Sequence, residues 1–572
     1  MGLILGVNCY HPNSSICLLD ESGKIIFFSE EERFNRIKNF TGFPSLAFKY
    51  IENKYCNPSQ IKFITINSNP FKNIFKKMFF SLKNFSLDFL NSRLNDYKKK
   101  IFFNQFKIKN KIYIDHHLSH IASSFYLSNF EECVALSIDG FGDFSSLSLA
   151  VINSNNIKIK QKVFFPHSLG IFYHAMTQFI GFNNYGDEYK VMGMSAYGNP
   201  QTYYEKLKNL IFYDEDFFYR INKKYFNFYK KNIFYPTPQG IPIYKSIFNK
   251  NIKDLIGMPR QENDLLTQKF FDLAASTQKI YEEIFFKILN KIYKNNPGQN
   301  LSLSGGCAMN SLANGKIILS TPFKNVFIPA TPGDSGGAIG AALYFFYKKN
   351  KIKYKIDNSN PYLGSHYTNY EIKEIINKFD IIFQSKNINS IFDSTEKINS
   401  IAAEKISQGS IIAIFRGKME NGPRALGNRS LVGDPRQEKI AKKMNLIIKK
   451  REEFRPFAPS ILEEFADQWY ENCATSPYMS HVFKVIKNQE KIIPAVTHVD
   501  GTGRIQTVNK TVNCDYYALI KKFYHITSVP MILNTSFNDN EPIIENPHNA
   551  IEFFINNPID YLVLENYLLE KK

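Results

Sequence analysis

The run Val134-Ala135-Leu136-Ser137-Ile138, followed at once by Asp139-Gly140-Phe141-Gly142-Asp143, decides how this chain is read. The first five residues are apolar but for one serine and predict a buried strand. The next five, with two glycines between two aspartates, predict a Gly-rich loop. Leu147–Ile152 then alternates, Asn153–Asn156 is turn-prone, and Ile157–Val163 returns as a strand. The N-terminus repeats this order. Leu3–Val7 is apolar, Asn8–Ser15 is polar and turn-prone, Ile16–Leu19 is a strand, Asp20–Gly23 turns, and Lys24–Ser29 is a strand again. Two copies of one supersecondary unit, about 130 residues apart, imply a duplicated α/β core.

Outward from these copies, Phe71, Ile74, Phe75, Met78, Phe79, Leu82, Phe85 and Phe89 recur at helical spacing, with Lys72, Lys76, Lys77 and Lys83 between them. The pattern predicts an amphipathic basic helix with its apolar stripe on the core and its lysines in solvent. A membrane-surface helix is the alternative. Residues 270–295 predict one long helix leading into a strand at Leu301–Leu303. Lys348–Asn360 is polar and basic, reads as a linker, and puts a boundary near residue 355, after which a second α/β segment begins.

A chain of 572 residues has room for two to four domains. With 44% hydrophobic and 22% charged residues it is a folded globular protein, which excludes a disordered one. The formal charge of +19 is concentrated. Residues 72–111 hold 11 basic and 2 acidic residues, and residues 416–455 hold 12 and 5. Such patches attract nucleic acid, anionic lipid or phosphorylated substrates. A general excess of Lys, Asn, Ile, Phe and Tyr also follows from A/T-rich codons. The 7 cysteines are an odd number, widely spaced and without C-x-x-C, which suits a reducing cytoplasm and no thiolate metal site. The N-terminus reads as a first strand and not a signal peptide, and no apolar run reaches the length of a transmembrane helix.

The chemistry-bearing stretches begin at Asp115-His116-His117-Leu118-Ser119-His120. His116 and His120 are four apart, so a helix puts both imidazoles on one face, within reach of one metal ion. Asp139 and Asp334, each in a Gly-rich turn, would complete a two-His, two-Asp set suited to iron, manganese or another hard divalent ion. His117 would point elsewhere as a hydrogen-bonded structural histidine. Ser304-Gly305-Gly306-Cys307-Ala308-Met309-Asn310 and Pro332–Gly340 are loops that let backbone N–H groups approach phosphates. Neither is a Walker loop or a dinucleotide fingerprint. Gly186–Gly198 carries Lys190, a phosphate-neutralising or a surface lysine. Arg416-Gly417-Lys418 through Gly422-Pro423-Arg424-Ala425-Leu426-Gly427-Asn428-Arg429-Ser430, with Lys449, Arg451 and Arg455, sets arginines among Gly and Pro, as bidentate anion binding requires. Arg504 and Asn534-Thr535-Ser536 add donors in turns.

Together these stretches resemble the O-carbamoyltransferase family called NodU/CmcH, which includes nodulation-factor, cephem and tobramycin carbamoyltransferases. The matching stretches run from Glu31–Lys38 through His116–Ser123, Asp139–Asp143, Gly186–Gly198, Ser304–Asn310 and Thr331–Ala342. They continue through Gly422–Ser430, Arg451–Ser460, His498–Val508 and Asn534–Asn538. The resemblance implies a duplicated actin/sugar-kinase-like ATPase-fold domain over 1–355, followed by an α/β YrdC-like domain over 356–572. It implies that carbamoyl phosphate is split to carbamate in the second domain, and that carbamate is activated with ATP as carbamoyladenylate in the first. The carbamoyl group then passes to a hydroxyl of a sugar, polysaccharide or glycosylated natural product. It implies a divalent metal on His116, His120, Asp139 and Asp334, iron first, with manganese or magnesium as the other candidates. It implies ATP near Gly140, Lys190, Gly305, Gly306 and Asn310. Carbamoyl phosphate would lie near Arg424, Lys449, Arg455, Arg504, Asn534 and Ser536, and His11 would be the general base. Family members carry Asp after that histidine, where this chain has Pro12. The expected partner is a small-molecule or glycan acceptor, with no nucleic acid and at most a weak membrane-surface contact. Its binding groups are expected within 200–265, where Tyr203, Tyr204, Phe217, Tyr219 and Phe226 are aromatic. The competing readings are a tRNA threonylcarbamoyladenosine-type enzyme, which would use threonine and bicarbonate, and a non-catalytic nucleotide-binding partner protein.

Overall fold

The computed structural model describes residues 2–84, 110–230, 234–352, 354–452 and 454–572. The chain is mixed α/β and divides into two units, Met1–Ser359 and Asn360–Lys572.

The first unit contains the duplication in its topology. Strands β1 (Leu3–Asn8), β2 (Ser15–Leu19), β3 (Ile25–Glu30), β4 (Ile61–Ile66) and β5 (Asn110–Tyr113) form a sheet of order β3-β2-β1-β4-β5. The first three pair antiparallel, and β1, β4 and β5 pair parallel. The second sheet repeats this pattern with β6 (Glu132–Gly142), β7 (Ser145–Asn153), β8 (Asn156–Phe164), then strands Asn300–Ser304 and Asn325–Phe327. Strands β1 and β2 are buried along nearly their whole length, as expected where helices cover both faces of a sheet. One correction concerns Asp139–Gly142, expected as a loop. These residues continue β6, and the register with β7 shifts between Ile138 and Gly142 before the hairpin closes at Asp143 and Phe144, both at positive φ.

Small residues set the close packing. Helix Gly336–Asn350 lies against both β1 and the histidine helix His116–Leu127. A Cβ on Gly340 would stand 1.8 Å from the carbonyl oxygen of Ser119, and one on Gly6 would stand 2.0 Å from that of Ala338. The long helix runs over Gln268–Asn295, close to its expected span.

The expected linker is not free chain. Lys348–Asn350 finish the preceding helix. Lys355 Nζ donates to the carbonyls of Phe125 (2.7 Å), Ser128 and Phe130. Asn358 donates to Gly23 O and accepts from Ile25 N. The basic helix forms over Ile74–Asn84, while Phe85, Phe89 and most of the basic window lie outside the described residues. The expectation that its stripe faces the core is overturned for Phe71, Phe75, Met78 and Phe79, which are exposed. The helix docks instead through Phe80, whose ring lies 4.8 Å from that of Phe165, and through Lys76, whose Nζ lies 3.3 Å from the centre of the Phe164 ring.

The second unit is built on an eight-stranded mixed sheet. Its order is Ile388–Phe392, Tyr567–Lys571, Tyr561–Leu564, Ile412–Phe415, Arg429–Gly433, Met531–Ser536, Ala458–Leu462, Gln506–Val508. Helices Thr395–Ser407 and Cys514–Thr527 pack together, and Ile412, Leu431, Ile461 and Leu533 are fully buried in the core.

Gly340→Ala drives a methyl group into a backbone carbonyl beside the histidine helix. We expect a loss of about 1–3 kcal/mol, seen as a lowered Tm, and weakened metal binding in the same variant.

Candidate active site

In the first unit, Asp115 caps the histidine helix, its Oδ1 accepting from Leu118 N at 3.0 Å, and Lys162 Nζ lies 2.7 Å from its Oδ2. One turn of helix then puts His116 and His120 on the same face. Their Nε2 atoms are 3.1 Å apart, and each is 3.1 Å from Asp139 Oδ2 and 3.5 Å from Asp334 Oδ1. The four side chains are buried, and one ligand atom from each lies within 4.8 Å of the other three. Two imidazole nitrogens facing each other and two carboxylates, with no thiolate, fit a divalent cation. Charge in the cluster points the same way. Burial opposes a charged His120, but Asp139 and Asp334 outweigh it and push the imidazole up to about 9. Burial likewise opposes ionisation of Asp139, and the two histidines hold it well below the usual carboxylate range.

Asp139 also faces the glycine loop. Its Oδ1 accepts from Gly140 N at 2.7 Å and from Gly306 N at 3.2 Å. Gly305, at φ +87°, donates its N–H to Pro332 O at 2.7 Å and so ties the two glycine loops together. A Cβ there would stand 2.2 Å from Ile138 O, which requires glycine. His11 Nδ1 lies 2.9 Å from Asp334 Oδ2, and its ring centroid is 5.3 Å from that of His116. The loop around Pro12 is held by Asn8 Nδ2, which donates to Pro12 O and Asn13 O. His11, His116, His120, Asp139, Asp334, Gly140, Gly305 and Gly306 therefore form one constellation. Lys190 and Asn310 stand differently. Asn310 caps helix Ser311–Gly315 through Ala313 N and exchanges two hydrogen bonds with Gln278, and Lys190 Nζ lies 3.3 Å from Asp187 Oδ1. His117 is structural: one ring nitrogen meets Ser137 Oγ at 2.8 Å and the other donates to Ser145 O at 2.9 Å.

In the second unit the Arg-rich window splits. Arg429 is fully buried and donates to the carbonyls of Arg416, Asn428, Ser365 and Gly417. Arg416 donates to Glu565 O and Asn399 Oδ1, and Arg436 pairs with Asp434 at 2.7 Å. These three brace the fold. Arg504 is different: burial, and then the charges of Arg424, Arg451 and Arg455, hold its guanidinium well below its ordinary value. Its Nε is buried with no hydrogen-bond partner among the described residues, a state shared by Arg416 Nη2, Arg429 Nε and Asn534 Oδ1. Asn534 Nδ2 meanwhile donates to Ala425 O (3.1 Å) and Ser460 Oγ (2.9 Å). The loop carrying Arg424 is shaped by buried Glu420, whose Oε1 accepts from the backbone N–H groups of Leu426, Asn428 and Arg429. Lys449 is engaged with Ser536 O and with Asn538 O and Oδ1, the last two at 2.7 Å, and Ser536 Oγ donates to Asn538 Oδ1.

Residues 3–343 match the family model described as carbamoyltransferase N-terminus, and residues 403–571 match the one described as carbamoyltransferase C-terminus. The chain belongs to the carbamoyltransferase family. A Synechocystis protein named only as uncharacterized sll1178 is 34% identical over 99% of this chain and 96% of its own length. The nodulation protein NolNO of Sinorhizobium fredii is 33% identical over all of this chain and 82% of its own. The 3'-hydroxymethylcephem-O-carbamoyltransferase of Streptomyces clavuligerus is 25% identical over 54% of this chain and 53% of its own.

Sequence reading missed several residues beside this His/Asp cluster. The Tyr185 hydroxyl, kept protonated by burial and by Asp334, lies 3.4 Å from Asp334 Oδ2. Its ring stacks on Tyr244 with centroids 5.8 Å apart. Tyr244 sits on the hairpin of strands Phe234–Pro236 and Pro242–Tyr244, inside the span expected to meet the acceptor. Of the aromatics named there, Tyr219 and Phe226 pack in the core, 0% and 1% exposed, as is usual for aromatic side chains, and Tyr219 bonds Ser146 at 3.0 Å. No spacing signalled Tyr185 or Tyr244, because each reaches the centre from a different segment.

His120→Ala and Asp139→Asn are each expected to abolish binding of one divalent ion per chain, read by titration calorimetry and elemental analysis, while His117→Asn retains it. Burial, and then His116 and His120, keep the His117 imidazole well below its ordinary pKa. The unfolded chain takes up that proton near pH ~6.5 and the folded chain does not, so stability is lost as pH falls below that value. In metal-free protein the fall of Tm with acid should be shallower for His117→Asn than for the parent.

Proposed function

We propose that the chain is an ATP-dependent O-carbamoyltransferase with two sites, an actin/sugar-kinase-like carbamoyladenylate-forming unit and a YrdC-like carbamoyl-phosphate unit. The observation that carries the first site is Asp139, which meets the two histidines with one oxygen and the glycine-loop N–H groups with the other. A carboxylate so shared suits a site where a cation and a nucleotide phosphate must lie side by side. His116, His120, Asp139 and Asp334 would hold the divalent cation, which supplies charge neutralisation at the phosphates. Gly140, Gly305 and Gly306, with Lys190 and Asn310 beyond them, would border ATP.

In the second unit, Arg424, Arg455 and Arg504, joined by Arg451, would bind carbamoyl phosphate, because guanidinium groups crowded around buried Arg504 are stabilised by an anion. Asn534 would orient the carbamoyl end, and Lys449 and Ser536 would hold the adjoining loop or turn toward phosphate. Water splits carbamoyl phosphate to carbamate and phosphate. A carbamate oxygen attacks the α-phosphorus of ATP and pyrophosphate leaves. The acceptor hydroxyl then attacks the carbamoyl carbon, His11 takes the hydroxyl proton, and AMP leaves. Carbamate is short-lived in water, so enclosure favours the second step. The acceptor class is a hydroxyl of a sugar, polysaccharide or glycosylated natural product, with Tyr185 and Tyr244 as aromatic ground beside His11. Free thiols at the seven cysteines support a reducing, cytoplasmic setting, and no helix among the described residues is long and apolar enough to cross a membrane.

The two-site reading separates two variants. With carbamoyl phosphate, ATP and a divalent ion, Asp139→Asn should still release phosphate from carbamoyl phosphate but form no pyrophosphate, while Arg504→Met should form neither product above roughly a tenth of the parent rate. Pyrophosphate release that does not depend on carbamoyl phosphate would overturn the scheme.

A further inference from the structure

Phe71, Phe75, Met78 and Phe79 stand at i, i+4, i+7 and i+8 along the basic helix and the turn before it. They are 69%, 84%, 45% and 70% exposed. Three phenylalanines and a methionine on one exposed stripe are unlike the scattered apolar residues of an ordinary surface. Lys72, which is exposed, and Lys77, whose Nζ also donates to Pro70 O at 3.2 Å, flank them, and no acidic residue occurs between Phe71 and Leu87. The stripe thus has two requirements, an apolar phase for its rings and negative charge for its lysines. A nucleic acid meets only the second. A second copy of the same face meets the first but brings lysine against lysine. The interfacial zone of an anionic bilayer meets both.

The helix is also fixed in position. Asn69 N donates to Asp143 Oδ2 and Asn73 Nδ2 donates to Asp143 O, each at 2.8 Å. The same Oδ2 accepts from His116 N at 2.8 Å. One carboxylate therefore joins the start of the stripe to the first residue of the histidine helix. We propose that this face docks the protein on an anionic phospholipid bilayer and holds the His/Asp centre beside the headgroups. The inference stands on the helix alone and does not depend on the carbamoyl transfer scheme.

The test is co-sedimentation of the full-length protein with vesicles. Phosphatidylglycerol-containing vesicles should bind at least about tenfold more protein than pure phosphatidylcholine vesicles, and added salt should reduce the difference. F75S/F79S should lower binding roughly tenfold without lowering Tm, since both rings are exposed. L265S, which removes another exposed apolar side chain (84%), should leave binding unchanged. Equal binding to the two vesicle types, no binding to either, or undiminished binding by F75S/F79S would each overturn the proposal. So would a fall in particle mass of F75S/F79S in lipid-free light scattering, which would make the face a contact between copies.

Discussion

The carboxylate of Asp139 is the constraint on which the first unit turns. It leaves the central strand of the second sheet where pairing with the neighbouring strand breaks register. There it accepts from two backbone N–H groups on one side and faces two imidazoles on the other. Such a group cannot move without unpairing two half-buried backbone donors. The histidine helix, the strand and the glycine loop are thereby fixed relative to one another. The close approach of Gly340 to Ser119 fixes the histidine helix against helix Gly336–Asn350. The centre is rigid because its supports are backbone, and backbone positions are set by the packing of the whole unit.

The second unit handles charge in the opposite manner. Arg416, Arg429 and Arg436 donate to carbonyls, an amide and a carboxylate. Arg424, Arg451 and Arg455 crowd Arg504 instead. Crowding of like charge is destabilising unless something else holds the groups together, and Glu420 does this for the Arg424 loop through three backbone N–H groups. The fold sustains a locally unfavourable arrangement because its core, with Ile412, Leu431, Ile461 and Leu533 fully buried, supplies the compensating stability. Under the proposed function, such an arrangement would be the binding site of an anion.

Much of this was legible beforehand, element by element. The repeated strand order, the His116/His120 spacing, the two glycine loops and the long helix near 270–295 are local patterns and were read as such. Arg451 lies in the same Arg-rich run, and only the fold brings its charge beside Arg504. Glu420, Tyr185 and Tyr244 carried no signal, since a lone Glu or Tyr gains meaning only from what it touches. Asn310 and Lys449 belong to recognisable motifs, yet the fold spends their polar atoms on Gln278, Ala313, Ser536 and Asn538. The basic helix was found in its register and misjudged in its facing, because periodicity gives the angle between residues on a helix but not the rotation of that helix against its neighbours.

By itself, the sequence determined the duplicated α/β plan, the residue types available for a two-His, two-Asp centre, and the supply of arginines in the second unit. Those depend on periods and spacings that fit within a few turns of chain. The tertiary structure alone decided which arginines are taken up by backbone carbonyls, which carboxylate oxygen faces which partner, and which face of the helix from Ile74 to Asn84 meets solvent. Each of these is a matter of hydrogen bonding and dielectric surroundings contributed by groups far apart in the chain. Asp139 and Gly306 are 167 residues apart and meet only when the two parallel strands before them pair.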